Sequence, residues 1–189
     1  VVLDGDGGST SDLSGSAFLV VLALSEPLAD LHSVLNLDEG NVVLLAQTEA
    51  GYIHLSQLVS DALLATDPAS QPVIPLAALA ARSAGLILLS GGARGGFIGQ
   101  PAAHGQRDLA LQRLTGLKDM FGDRVYVELQ RHGLAGERGA EPVLLEIADA
   151  TDVRLVATND CHFETEDMFG PHRVLTCIAN SERLASMAD

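Results

Sequence analysis

Two residues near the carboxyl end of the sequence have the types and spacing of a metal-binding pair. The segment VATNDCHF places Asp160 and His162 directly after the short apolar run Arg154–Thr158. Because side chains repeat every second residue along an extended chain, both groups would point to the same side. A carboxylate and an imidazole together suit a borderline divalent metal such as zinc or manganese. Taken alone, the pair favours a simpler interpretation, in which an aspartate caps a turn beside a loop histidine.

A second polar segment, VELQRHG, begins inside another apolar run. It places Glu128 within a strand-like stretch, Gln130 on the same face and His132 just beyond. A buried strand carboxylate requires a hydrogen-bond partner, so we expect Glu128 to form a hydrogen bond within the interior. Glu128 could alternatively be a metal ligand. It could also, together with His132, form hydrogen bonds to metal ligands without contacting the metal. The structural role is the favoured one.

The composition limits the classes of function. The 189 residues carry 25 acidic and 11 basic side chains, a formal net charge of −14 at pH 7. A surface this acidic repels phosphate backbones, which argues against direct DNA contact by this chain. The two cysteines, Cys161 and Cys177, form no CxxC motif, so we expect a reduced, cytoplasmic setting. No apolar run approaches the ~20 residues of a membrane helix.

Short apolar strands alternate with amphipathic helices along the chain, and Ala93–Gly105 between them is predicted to be a glycine-rich loop. The predicted strands are Ala17–Leu24, Val42–Ala46, Leu86–Leu89, Val125–Leu129 and Arg154–Thr158. The predicted helices are Gly51–Ala65, Pro75–Ala84, Arg107–Phe121, Glu141–Ala150 and Thr165–Ala179. The apolar face of the first helix is Leu55, Leu58, Val59, Ala62 and Leu63. This alternation indicates an α/β fold with a parallel sheet or barrel, whose site lies at the carboxyl ends of the strands.

Four blocks of the sequence carry a resemblance to a known family. They are 42–64 (VVLLAQTEAGYIHLSQLVSDALL), 85–92 (GLILLSGG), 121–133 (FGDRVYVELQRHG) and 155–180 (LVATNDCHFETEDMFGPHRVLTCIAN). In this order and spacing they resemble the PHP domain of bacterial DNA polymerase III alpha subunits of the proteobacterial type. The resemblance implies a distorted (βα)7 barrel, incomplete here, with mainly parallel strands and outer helices. It also implies a PHP-like domain over 41–180, a divergent, loop-rich segment over 1–40, and the start of a link to a downstream region over 181–189.

The same resemblance implies a function in DNA replication. The chain would be part of a replicative DNA-directed DNA polymerase, a nucleotidyltransferase, whose polymerase palm lies outside it. The chain alone would then be inactive, and its PHP domain would act mainly as a scaffold. The implied partners are other polymerase III subunits, including a proofreading exonuclease. Other parts of the enzyme would contact DNA, the full polymerase would use magnesium, and no membrane is implied.

The resemblance further implies a degenerate metal site. Asp160 and His162 correspond to the family's final ligand pair, whereas Gly92 falls where metal-binding members place a cysteine or a histidine. The family's opening His-x-His element has no counterpart in this sequence. A pair of ligands is too few for a catalytic metal, so zinc or manganese would be the cofactor only if the site is retained.

Two alternatives stay open. The chain could be a free-standing PHP-type metal-dependent phosphoesterase or 3′–5′ exonuclease, in which bound metals would activate water and polarise phosphoryl oxygens. It could also be a truncated, non-enzymatic α/β module. The number of ligand side chains separates the first alternative from the scaffold, because a site for several metals needs about six or more of them.

Overall fold

The structure is a computed structural model that describes residues 19–25, 39–67, 72–159, 162 and 164–184. The chain divides into two compact units, the first ending at Thr158 and the second beginning at Asn159. The first unit contains the sheet and most of the helices, and the second contains the last α-helix.

A six-stranded mixed sheet forms the centre of the first unit. Its strands are β1 (Leu19–Ser25), β2 (Glu39–Ala46), β3 (Val73–Pro75), β4 (Leu86–Leu89), β5 (Val125–Leu129) and β6 (Arg154–Ala157). Their order across the sheet is β3-β1-β2-β4-β5-β6. The pairs β1–β3, β4–β5 and β5–β6 are parallel, whereas β2 runs antiparallel to both β1 and β4. The carboxyl ends of β4, β5 and β6 therefore meet at one edge.

Helices connect the strands. They are α1 (Glu49–Ala65), α2 (Leu76–Ala81), α3 (Gly99–Ala103), α4 (Arg107–Phe121), α5 (Ala135–Thr151) and, in the second unit, α6 (Phe169–Asn180). Short 3-10 turns at Gly122–Arg124 and Glu166–Met168 precede β5 and α6. The hydroxyl of Thr48 caps α1 by accepting a hydrogen bond from the amide of Gly51 at 3.1 Å. Within the described ranges, none of the helices has the length and apolar character needed to cross a membrane.

An aliphatic core joins the sheet to its helices. Leu44, Leu88 and Val127 come from β2, β4 and β5 and are completely buried. Leu117 of α4 and Ile147 of α5 are equally buried and belong to the same cluster. Burial of one such side chain stabilises the fold by roughly 1.5–3 kcal/mol. This packing fixes β4 and β5, and therefore their polar carboxyl ends, against α4 and α5.

The structure confirms several predicted elements. β4, β5 and α4 have the predicted bounds, and Gly122 follows α4 with a φ of 62°, a conformation that favours glycine. The predicted α/β character is also confirmed. The sheet is not closed into a barrel among the described strands, because β3 and β6 form two open edges. The strands are parallel from β4 to β6, but β2 is antiparallel to both of its neighbours.

Three local predictions are wrong in detail. Pro75 ends β3 instead of opening a helix, so α2 begins at Leu76. The segment Ala93–Gly105, predicted as loop throughout, contains the short helix α3. The predicted buried face of α1 includes Leu63, which is 56% exposed. At about 100° per residue, Leu63 lies roughly 80° around the helix from the buried Leu55 and so points away from the core.

The start of α5 also differs from the prediction. The helix begins at Ala135 rather than at Glu141, and Pro142 lies inside it. Proline favours the first turn of a helix because it lacks an amide donor, so a place inside α5 is not the position that Pro142 would favour by residue type. The carboxylate of Glu137 anchors the earlier start by accepting a hydrogen bond from the amide of Leu134 at 3.0 Å.

Candidate functional site

Ser90 and Glu128 link two neighbouring strands at the edge where the parallel strands end. Ser90 follows β4 directly and is fully buried, and Glu128 near the end of β5 is 4% exposed. The amide of Glu128 donates to Oγ of Ser90 at 3.0 Å. The amide of Ser90 donates to the carbonyl of Tyr126 at 3.0 Å. A side-chain hydrogen bond therefore continues the β4–β5 pairing beyond its last backbone pair.

The carboxylate of Glu128 is the centre of a cluster of polar side chains. Its Oε1 accepts hydrogen bonds from the hydroxyl of Thr158 and, at 3.1 Å, from Nε2 of Gln130. Nε2 of Gln130 also donates to Oγ1 of Thr158 at 3.3 Å. Thr158 follows β6, and its amide donates to the carbonyl of Leu129 at 3.1 Å. Ser90, Glu128, Gln130 and Thr158 together form what we call the strand-end cluster.

The other carboxylate oxygen of Glu128 has a different environment. Oε2 is buried and has no hydrogen-bond partner in the part of the chain that the structure describes. Burial of a carboxylate oxygen without a donor costs free energy, so this atom is the one point of the cluster where a further donor or a cation would be stabilising.

Gly92 approaches the cluster from the loop after β4. A Cβ atom built on Gly92 would lie 2.2 Å from Oε1 and 2.9 Å from Cδ of Gln130. The amide of Gln130 therefore occupies the space that a side chain at position 92 would need.

A buried arginine holds the same loop from the helix side. Arg113 of α4 is 3% exposed and donates from Nη1 to the carbonyl of Phe97 at 2.9 Å. Its Cζ also lies 4.3 Å from the centroid of the Phe97 ring, a cation–π stack. The amide of Phe97 in turn donates to the carbonyl of Asn41 in β2 at 2.9 Å. The loop beside Gly92 is thus fixed by both a helix and a strand.

His132 interacts with the helix that follows β5. Its Nδ1 lies 2.7 Å from Oε1 of Glu137, whose Oε2 accepts the amide of Leu134. Burial of Glu137 acts to raise its pKa, but the hydrogen bonds from His132 and Leu134 outweigh that effect and hold the pKa below its usual value. His132 therefore anchors the start of α5. Its proposed support of metal ligands stays a prediction.

The second unit brings two histidines together. The rings of His162 and His172 stack with their centroids 5.1 Å apart and their planes 23° apart. His162 is exposed and His172, on α6, is half-buried. Asp160 lies outside the described residues, so the metal pair of Asp160 and His162 stays a prediction as well.

Sequence reasoning overlooked two members of the strand-end cluster. Neither Ser90 nor Thr158 was expected to contact Glu128. Each is the first polar residue after an apolar strand, and the carboxyl ends of parallel strands meet at one edge. This position after a strand is the feature of the sequence that could have predicted a contact with Glu128, for Ser90 and Thr158 alike.

A known family matches the part of the chain that contains β1 to β5. The family model described as PHP domain matches residues 16–132, which is most of the first unit. The chain belongs to the PHP domain family. Within this PHP domain the matched range includes Ser90, Gly92, Glu128 and Gln130, whereas Thr158 lies beyond it.

Relatives named DNA polymerase III subunit alpha are similar to this PHP domain. The protein of that name from Caulobacter vibrioides is 46% identical over 139 residues, 74% of this chain. The one from Thermus aquaticus is 36% identical over 144 residues, 76% of the chain. An error-prone DNA polymerase from Symbiobacterium thermophilum is 31% identical over 159 residues, also 76% of the chain. The chain spans only 12% of the length of the first two proteins and 15% of the third.

The described residues of this PHP domain do not fit a metal centre. Among them, no three His, Cys, Asp or Glu side chains lie close enough together to hold a metal ion. Glu128 supplies a carboxylate at the strand ends, but its Oε1 already accepts hydrogen bonds from Thr158 and Gln130. The space beside Gly92 is filled by the amide of Gln130. A protein metal site usually requires three or four protein ligands, and the described residues do not bring that many together.

Proposed function

We propose that this chain is the PHP-domain portion of a replicative DNA polymerase III alpha subunit and acts mainly as a scaffold, with a degenerate metal site. The observation that carries the proposal is the 46% identity over 139 residues to the DNA polymerase III subunit alpha of Caulobacter vibrioides. Nucleotidyl transfer, its magnesium ions and the contacts to DNA then belong to the remainder of the polymerase. We propose the cytoplasm as its location on the same ground.

The net charge of the chain supports a role as a scaffold rather than a role in DNA binding. A formal net charge of −14 opposes close approach of a phosphate backbone. The same charge is compatible with contacts to protein partners, whose basic surfaces it would attract. We propose other polymerase III subunits as these partners, including a separate proofreading exonuclease.

The hydrogen bonds of the strand-end cluster support the degenerate metal site. In an active metal phosphoesterase the side chains at this edge would be directed at metal ions. Here Ser90, Gln130 and Thr158 are directed at Glu128 or at its backbone. Their arrangement favours a structural role for this edge over hydrolysis of phosphoesters.

A chimeric polymerase tests the proposed function. The 139 matched residues of this chain would replace their counterparts in the Caulobacter vibrioides alpha subunit, and primer extension would be measured with magnesium. We expect the chimera to be soluble and to extend primers within a few-fold of the parent. A matched chimera with Leu114→Asp, which places a charge in the core, should be inactive or insoluble. A soluble, folded chimera without polymerase activity would contradict the assignment.

A nuclease assay separates the scaffold from the alternative of a free-standing phosphoesterase or exonuclease. The purified chain would be incubated with a 3′-labelled primer and with a phosphomonoester in the presence of manganese or zinc. We expect no release of product above the level of an Asp160→Ala variant. Robust metal-dependent activity that Asp160→Ala abolishes would overturn the scaffold in favour of an enzyme.

A further inference from the structure

We infer that the strand-end cluster is a metal-independent lock, in which hydrogen bonds among Ser90, Glu128, Gln130 and Thr158 join the carboxyl ends of β4, β5 and β6. This inference deepens the proposed function and rests on its degenerate metal site, but not on the polymerase assignment. A PHP domain could belong to a polymerase and still hold this edge with a metal, or hold it without one in another setting.

The hydrogen bonds of the cluster connect β5 to the strands on both of its sides. The bond from the Glu128 amide to Ser90 Oγ connects β5 to the end of β4. The bonds from Thr158 Oγ1 to Glu128 and from Gln130 Nε2 to Thr158 connect β5 to the end of β6. The backbone pairing of β5 with β6 ends at Leu129 and Ala157. The side chains therefore continue the contact beyond the point where the strands stop pairing.

Gln130 excludes a side chain at position 92 from the same space. Its Nε2 donates to Glu128 and Thr158, while its Oε1 lies where a Cβ atom on Gly92 would be. A ligand side chain at position 92 would therefore have to displace the amide of Gln130. The hydrogen bonds of Gln130 and a ligand side chain at position 92 therefore compete for the same space.

The buried Oε2 atom of Glu128 makes the inference open to a direct test. This oxygen has no hydrogen-bond partner among the described residues, so it is the atom at which a bound cation would stabilise the cluster. A lock that depends on a cation at this atom would lose stability when the cation is removed. A lock made of hydrogen bonds would not.

Urea unfolding of the purified chain, followed by far-ultraviolet circular dichroism, tests the lock. Three samples would be compared: the untreated protein, the protein dialysed against EDTA, and the dialysed protein after addition of zinc or manganese chloride. We expect the unfolding midpoint to be the same in all three conditions. A midpoint that falls after EDTA treatment and recovers with either metal would overturn the inference, and this comparison requires no variant.

The variant Thr158→Val removes the hydroxyl of the cluster and keeps the shape of the side chain. We expect it to lower the folding equilibrium constant about tenfold, the usual effect of losing a hydrogen bond to a buried carboxylate. The matched control is Thr115→Val on α4, where the exposed hydroxyl bonds only to the carbonyl of Leu111 in its own helix. Equal effects of the two substitutions would contradict the lock. If Thr158→Val does not fold while Thr115→Val does, the strong dependence on this hydroxyl supports it.

Discussion

The side-chain amide of Gln130 lies where a side chain at position 92 would begin. A Cβ atom on Gly92 would be 2.2 Å from Oε1 of Gln130, far inside the contact distance of two such atoms. Gly92 does not have a positive φ, so its backbone is in a conformation that other residues adopt. A side chain at position 92 would therefore meet the side chain of Gln130, whereas the backbone itself would accept one.

Replacement of Gly92 by alanine should destabilise the fold through Gln130. Because the contacting atom is the end of a flexible side chain, we expect Gln130 to move away and lose its hydrogen bonds to Glu128 and Thr158. The expected loss in the free energy of unfolding is about 1–2 kcal/mol, measured by urea denaturation. The control Gly116→Ala lies in α4 with open space around its Cβ position and should stabilise the helix by about 0.5–1 kcal/mol.

The origin of that loss can be isolated with a double variant. In a Gln130→Ala background, Gly92→Ala should cost almost nothing, because the obstructing amide is gone. The two substitutions should therefore show a coupling of about 1 kcal/mol in a double-mutant cycle. Additive effects of Gly92→Ala and Gln130→Ala would show that the two side-chain positions do not compete for space.

Arg113 should be more important for stability than the exposed arginines. The variant Arg113→Met keeps the length of the side chain but leaves the carbonyl of Phe97 without its donor and removes the stack on the ring. Part of that loss is offset because a buried charge is also removed. We expect a net loss of about 1–3 kcal/mol in the free energy of unfolding. The control Arg94→Met, at an exposed position, should unfold close to the wild-type midpoint.

Acid should destabilise the fold through the paired carboxylates of α5. Hydrogen bonds from Arg131 and Arg107 lower the pKa values of Glu141 and Glu146 below their ordinary value of 4.5. Because the pKa of each is lower in the folded state than in the unfolded state, its stabilising contribution is present above pH 4.5 and is lost as pH falls through the folded pKa. Urea unfolding would be measured at a series of pH values from neutral downward. The urea concentration at the midpoint should decrease once the pH is below 4.5.

Removal of these two carboxylates should weaken the acid dependence. The double variant Glu141→Gln, Glu146→Gln should be less stable than wild type at pH 7 and should lose less stability on acidification. The exposed Glu164→Gln serves as the control for a change of charge alone. An identical slope of stability against pH in the wild-type protein and the double variant would show that these ion pairs do not contribute.

Sequence reasoning located the regular elements of the core well. α4 could be placed because Ala110, Leu114, Leu117 and Phe121 recur on one helical face before Gly122, and all four apolar residues are buried. β3 could not, since three residues are too few to show a period and Pro75 favours a helix start. The antiparallel position of β2 also escaped prediction, because its pairing is set by contacts with strands distant in sequence.

The candidate site could be predicted only in part. Glu128 was recognisable because a carboxylate inside an apolar strand requires a partner. The identity of that partner was not recognisable, since Thr158 lies thirty residues further along the chain and reaches Glu128 only through the register of β5 with β6. The close approach of the Gln130 side chain to Gly92 likewise depends on the folded structure, and the two residue types alone do not predict it.

Isothermal titration of the purified chain with zinc and with manganese tests the central claim most directly. If the chain is a PHP scaffold whose strand ends are held by hydrogen bonds, neither metal should show saturable, stoichiometric binding at submicromolar affinity. An Asp160→Ala, His162→Ala variant should then give the same heats as the wild type. Stoichiometric submicromolar binding that this variant abolishes would contradict the account and identify an intact metal site.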